Sequence, residues 1–188
     1  MCFSLEVSIL SFIISWSVGI YLLRKKLTNI QRNNIIFLLI FSCMQIGDSI
    51  LWYNEMKKNN INYYTTSILI PLILSLQLLF NSYIRNEGKN KILNIVSIIG
   101  SLYLFVRFNG YSKSSCSNKL SSPIWGSNEI KYWEMILFAI FIFYPNYNQL
   151  FVFLFLVIPS IMIYFNGGYG SLWCATACGI SLYYLYKY

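Results

Sequence analysis

Apolar residues occur along this chain in long runs that are separated by short polar segments. Four of the runs are continuous and lie at residues 4–23, 34–53, 64–83 and 92–108. A helix needs roughly 20 mostly apolar residues to cross a hydrocarbon core about 30 Å thick. The pattern therefore predicts four membrane-spanning helices.

A polar loop at residues 109–129 separates these runs from a second apolar group. The second group lies at residues 132–144, 150–165 and 169–186. Pro145 and the asparagines after it form a turn signal, so we predict two helices on either side of it rather than one. The sequence thus predicts an all-α, polytopic transmembrane bundle of seven helices in a single domain, 1–188. The count is six if residues 132–165 form one span.

Composition supports a lipid environment. Apolar residues make up 57% of the chain and charged residues 11%, whereas soluble domains carry about a quarter charged residues. We therefore expect a multi-pass integral membrane protein whose main partner is the lipid bilayer. The membrane itself, of a cell or of a virion, is not indicated.

The net charge of +8 arises from 14 basic and 6 acidic residues. In a soluble domain this excess would suggest nucleic acid as a partner, but the basic residues fall in the short gaps between apolar runs. Examples are Arg24, Lys25, Lys26 and Arg32. Because of this placement we read the basic residues as topology signals and do not predict nucleic-acid binding. The positive-inside rule then predicts that the N-terminus lies outside and the C-terminus inside.

The chain contains no histidine, and its five cysteines are scattered without a CxxC pair. We therefore predict neither a metal site nor a cofactor. Signatures of soluble enzymes are absent as well, so catalysis is not the expected activity. An intramembrane enzyme would require Asp48 and Glu134 to act as a carboxylate pair on one cavity.

Asp48 is the most informative residue because it is ionisable and lies well inside the second apolar run. An acid at the centre of a membrane helix costs about 2.5–3.5 kcal/mol, so it should face the bundle or water and have a partner. Gln45, Asp48 and Trp52 are spaced to share one helical face. This face predicts a site for a cation, a proton or a polar solute. Alternatively, Asp48 reaches the nearby interface or fixes helix packing.

Glu134, Trp133 and Trp173 begin the fifth and seventh predicted helices at the same outer level as Asp48. A cavity in the outer half of the membrane, lined by these three residues with Asp48 and Trp52, is therefore geometrically feasible. The tryptophans have a simpler interpretation, since aromatic belts occupy bilayer interfaces without any ligand.

Gln77 and Asn81 lie one turn apart on the third predicted helix, beyond Pro71. Hydrogen bonds between helices are the commoner role for such side chains, and we favour that role here. The alternative is that Gln77 and Asn81 continue a polar path inward from Asp48.

Two short segments carry a resemblance to known proteins. The first is MQIGD at 44–48, followed by Trp52 and Tyr53, and the second is GSLWC at 170–174. These segments resemble uncharacterised multi-pass membrane proteins of large DNA viruses, algae and protists. The resemblance implies a viral or protist origin and carries no established activity.

The sequence thus leads to two hypotheses of different classes. In the first, the bundle binds or conducts a small polar or cationic solute through a cavity near Asp48. In the second, it is a structural or interaction protein of a cellular or virion membrane without transport activity. There, polar residues fix helix packing and the loop at 109–129 binds a protein partner.

Overall fold

The computed structural model describes residues 4–117, 120–127, 130–145 and 172–188, and these residues are mostly helical. The helices are α1 (Leu5–Leu23), α2 (Asn29–Ser42), α3 (Met44–Tyr53), α4 (Asn60–Tyr64), α5 (Ile70–Leu79), α6 (Lys91–Arg107), α7 (Tyr132–Phe143) and α8 (Leu172–Lys187). Two π-helical segments, Thr65–Leu69 and Phe80–Arg85, continue the helix of α4 and α5. The strands β1 (Lys113–Ser117) and β2 (Leu120–Ile124) pair in antiparallel orientation.

Three helical stretches are long and apolar enough to cross a membrane by length and composition. They are Leu5–Leu23, Asn29–Tyr53 and Asn60–Arg85. Large apolar side chains on their surfaces are exposed, such as Leu10 at 57% and Ile68 at 49%. Because lipid tails solvate such side chains, this surface agrees with the predicted membrane location.

The fourth predicted span corresponds to α6, which has 17 residues, and the fifth to α7, which has 12. Helix α7 ends at Phe143, two residues before Pro145, close to the break that the sequence predicted. The last predicted span corresponds to α8 with 16 residues. The sixth predicted span, 150–165, lies outside the described residues.

The second span begins five residues earlier than its hydropathy indicates. Thr28 and Gln31 form a capping box, in which the Thr28 hydroxyl accepts from the Gln31 backbone N–H and the Gln31 amide oxygen accepts from the Thr28 N–H. The capping box satisfies backbone N–H groups at the start of the helix, so the helix begins at Asn29 even though the residues of its first turn are polar. The same span is interrupted at Cys43, between α2 and α3.

Pro71 explains the irregularity of the third span. Proline has no N–H to donate to the carbonyl four residues earlier, which here belongs to Ser67. The π-helical segment Thr65–Leu69 surrounds that carbonyl and ends just before Pro71. The local change in hydrogen-bond register accommodates the proline within the helix.

The polar loop predicted at 109–129 contains the paired strands β1 and β2, which we call the hairpin, so the mostly helical fold also includes a little sheet. Lys113 pairs with Ile124 and Ser117 with Leu120. After β2, the chain turns into the bundle at Trp125, which is 2% exposed. We call the end of the bundle that carries β1 and β2 the hairpin end.

The opposite end carries the C-terminus, and we call it the C-terminal end. There the Lys25 ammonium donates to the backbone carbonyl of Tyr188 at 3.3 Å, and the Asn34 amide donates to the Tyr188 hydroxyl at 3.4 Å. These contacts join the residue that follows α8 to the loop between α1 and α2 and to α2 itself. The core between the two ends is apolar and includes Phe41, Leu74 and Phe143.

Candidate functional site

Asp48 lies on the inner face of α3 and is 2% exposed, as an acid in a membrane helix should be. Its carboxylate Oδ1 accepts a hydrogen bond of 2.8 Å from the indole Nε1 of Trp125. Trp125 also packs edge-on against Phe108, with ring centroids 6.0 Å apart. The partner of Asp48 therefore comes from the segment after β2, 77 residues further along the chain.

Gly126 allows Trp125 to reach this position. Its φ is +79°, a conformation that residues with a side chain rarely adopt. A Cβ on Gly126 would also lie 3.3 Å from the backbone Cα of Phe108. The chain after β2 therefore passes directly over the end of α6 only because residue 126 is glycine.

A second contact holds the start of the hairpin segment on the bundle. The buried amide of Asn62 donates to the Ser112 carbonyl at 2.9 Å and accepts from the Ser112 N–H at 2.8 Å. Thr66 donates to the same Asn62 side chain and shares a 2.7 Å hydrogen bond with the Ser112 hydroxyl. Gly110 and Ser67 exchange another reciprocal pair. The hairpin is thus fixed to the third span at its base and to α3 through Trp125.

Gln45 lies one turn from Asp48 on α3, toward the C-terminal end, and its side chain is fully buried. Gln77 on α5 is fully buried too. Neither the amide oxygen nor the amide nitrogen of either residue has a hydrogen-bond partner among the described residues. A glutamine amide offers two donors and an oxygen acceptor, so both side chains present unused hydrogen-bonding groups in the bundle interior.

Asn81 is also fully buried, but its amide is fully used. It donates to the carbonyls of Phe141 and Tyr144 at 2.7 and 2.9 Å and accepts from Arg85 at 2.9 Å. Arg85 itself donates to the Ile142 carbonyl at 3.1 Å. The side chains of Asn81 and Arg85 thus donate to carbonyls at the end of α7 that have no acceptor role within the helix. Asn81 therefore has the interhelical role that we favoured from the sequence, whereas Gln77 makes no such bond to any residue that the structure describes.

Glu134 forms an ion pair with Arg107 at the hairpin end of α6. The guanidinium Nε and Nη2 donate to its two carboxylate oxygens at 2.8 and 3.0 Å, and the Tyr103 hydroxyl donates at 2.8 Å. The backbone N–H of Lys131 donates to Glu134 as well, which caps α7. Glu134 therefore pairs with α6 and not with Asp48.

The remaining predicted site residues lie apart. Trp133 is 55% exposed, and with Glu134 it lines a cleft of about 240 Å³ that Asp48 and Trp52 do not line. The indole nitrogen of Trp52 is buried without a partner among the described residues. Trp173 lies in α8, and its side chain is outside the described part. The structure thus brings Trp133 and Glu134 together, and Asp48 and Trp52 lie elsewhere.

Sequence reasoning did not identify three residues that organise this region, namely Trp125, Asn62 and Ser112. Trp125 follows a polar stretch, and the other two are ordinary polar residues at the ends of apolar runs. One signal could have pointed to Trp125, because a membrane-embedded Asp48 requires a hydrogen-bond partner. Tryptophan is a donor that suits apolar surroundings. The described residues contain no group of acids and cysteines arranged to hold a metal ion.

No protein-family model, curated protein or solved structure matches this chain.

Proposed function

We propose that this protein is a seven-helix membrane protein that binds or conducts a small polar or cationic solute along a column of buried polar side chains. The column comprises Asp48, Gln45, Gln77 and Asn81. In this proposal the hairpin end and the N-terminus face outside, as the distribution of basic residues favours. The observation that carries the proposal is that the buried amides of Gln45 and Gln77 have no hydrogen-bond partner within the described part of the chain.

The order of the column follows from the packing of α3 against α5. A Cβ on Gly47 would lie 3.3 Å from the Ile70 side chain, so these two residues are at one level. Each helical residue rises about 1.5 Å along the axis. Gln45, two residues from Gly47, therefore lies about 3 Å nearer the C-terminal end than this level, and Gln77, seven residues from Ile70, lies roughly 10 Å nearer that end. The two amides are therefore separated by about 7 Å along the bundle axis, between Asp48 and Asn81.

Energetics favour an occupant beside the amides. A buried polar group without a partner costs about 1–3 kcal/mol, and hydrocarbon offers no alternative hydrogen bonds. Buried water or a bound solute removes this cost. Carboxylate and amide oxygens are ligands for hard cations, and amide nitrogens add donors for neutral polar solutes. A polar or cationic occupant thus fits the chemistry of Asp48, Gln45 and Gln77.

Trp125 separates this column from the hairpin end. Its indole covers Asp48 and donates to the carboxylate, so a solute entering from that end must displace Trp125. The structure corresponds to a closed state in this proposal. The hairpin attached to Trp125 is the element that would move.

The experiment measures flux into proteoliposomes for wild type and for Asp48→Asn, Gln45→Leu and Gln77→Leu. Proton flux is measured with an internal pH dye, and Na⁺ and K⁺ fluxes are measured with indicator dyes. Urea flux is measured by osmotic swelling. We expect flux above that of empty liposomes and its loss in the variants. The free energy of unfolding of Gln77→Leu should be unchanged or higher, because no described hydrogen bond is lost.

That combination distinguishes transport from a packing role. If the glutamines only hold helices together, their substitution lowers stability and leaves flux unchanged. Wild-type flux that does not exceed the empty-liposome value for any of the four probes would refute the proposal.

An interaction role is the second candidate, and the fixed hairpin favours it. Because Asn62, Ser112 and Trp125 anchor both ends of the hairpin segment, its outer surface is preformed for a protein partner. This role predicts no flux, and capture of a partner that is lost when the exposed Lys113 is replaced by Glu.

A further inference from the structure

A cleft of about 240 Å³ lies between α6 and α7. The ion pair of Arg107 and Glu134 joins the two helices at the hairpin end. Toward the C-terminal end, Leu74 and Leu78 of α5 and Phe138 of α7 are among the lining residues. As far as the described residues show, the cleft is an apolar space between α5, α6 and α7 with polar groups at one end only.

Gly100 gives the cleft its width on the α6 side. The residue lines the cleft, and a Cβ there would meet only the end of the Leu78 side chain, at 3.3 Å. Leu137 faces the cleft from α7 and is 44% exposed, so this wall continues onto the outer surface. Outside the cleft, α6 exposes Ile99 at 61% and Leu102 at 67%. The cleft thus adjoins a surface that lipid tails would cover in a membrane.

We propose that this cleft binds one acyl chain of a zwitterionic bilayer phospholipid. An empty apolar space loses the dispersion contacts of its lining, and a cavity of about 150 Å³ is already large enough to bind benzene. The volume here is greater, and hydrocarbon chains are the solvent around the bundle. The inference does not depend on solute transport.

The ion pair at the hairpin end of the cleft suits a headgroup without net charge. Arg107 and Glu134 neutralise each other there, so a zwitterionic lipid brings its phosphate and ammonium to a site that carries no net charge. Tyr103 lines the same end, and its hydroxyl donates to Glu134. Trp133 is half-exposed there, as aromatic residues at headgroup level commonly are.

Photocrosslinking tests the proposal. The full-length protein is placed in nanodiscs of phosphatidylcholine that carries a diazirine in its acyl chain, and labelled residues are mapped by mass spectrometry. We expect severalfold more label on Leu78 and Leu137 than on Ile99 and Leu102. Gly100→Leu should reduce the label on Leu137 severalfold because its side chain fills the cleft.

Ile99→Phe is the matched control, since it adds volume to α6 outside the cleft, and it should leave the label on Leu137 unchanged. If Gly100→Leu does not fold, Leu137→Phe fills the same space and the label on Leu78 is measured. Equal labelling of cleft and surface residues, or no effect of filling the cleft, would overturn the proposal. Stronger labelling by phosphatidylglycerol than by phosphatidylcholine would refute the zwitterionic headgroup.

Discussion

Replacing Trp125 by Phe should destabilise the protein through Asp48. The substitution keeps an aromatic ring against Phe108 but removes the indole N–H that donates to the buried carboxyl at 2.8 Å. Both partners are 2% exposed, so bulk water does not reach the hydrogen bond. A buried group that loses its partner costs about 1–3 kcal/mol, and we expect a loss of unfolding free energy of this size.

A double-mutant cycle separates the hydrogen bond from the change in ring size. Asp48→Leu alone should also destabilise, because it removes the carboxylate that accepts from the indole N–H of Trp125. The double variant should lose less unfolding free energy than the sum of the losses in the two single variants, since it removes both partners of the hydrogen bond together. The assay is equilibrium unfolding in mixed micelles with increasing dodecyl sulfate, for wild type and the three variants.

Trp133→Phe provides the control for this cycle. Trp133 is 55% exposed, so its replacement should change the unfolding free energy by no more than about 0.5 kcal/mol. The reasoning fails if the losses of Trp125→Phe and Asp48→Leu add to within about 0.5 kcal/mol, because neighbours that share a hydrogen bond should not be additive.

Two further pairs of substitutions test the contacts at the two ends of the bundle. Gly126→Ala should destabilise more than Gly88→Ala, although both residues have positive φ, because only residue 126 has a backbone atom 3.3 Å from the new Cβ. Protease cleavage rates of the hairpin and unfolding free energies should rank the two variants in this order. Asn81→Leu should cost more than Gln77→Leu by about 1–3 kcal/mol, since of these two residues only Asn81 makes side-chain hydrogen bonds to described residues. Equal losses in the same unfolding assay would contradict this assignment.

Hydropathy located the long helices because a single physical requirement, burial in hydrocarbon, determines where apolar residues accumulate. It misplaced the start of the second span, where Thr28 and Gln31 extend the helix through a polar turn by capping it. Capping depends on individual hydrogen bonds, and a window of averaged hydropathy does not register them. The break before Pro145 was predictable because it depends on residues adjacent in sequence.

The candidate site was predictable only in part. An acid inside an apolar run must be buried, and Asp48 is. Its partner Trp125 is determined by the path of the hairpin, which depends on contacts such as that of Asn62 with Ser112, 50 residues apart. Glu134 was placed at the level of Asp48 from its position in the predicted topology. That level could not reveal that Arg107 of α6 binds it.

The hydrogen bonds from Asn81 and Arg85 to the last carbonyls of α7 have a consequence for the order in which these segments are synthesised. The helix ends in carbonyls that accept from side chains of the third span, so α7 alone in lipid would carry unpaired acceptors. During synthesis the donors leave the ribosome about 60 residues before the acceptors do, as the separations of 57 and 60 residues show. We therefore expect α7 to pack against Asn60–Arg85 as it inserts, because that earlier span supplies donors for its last carbonyls.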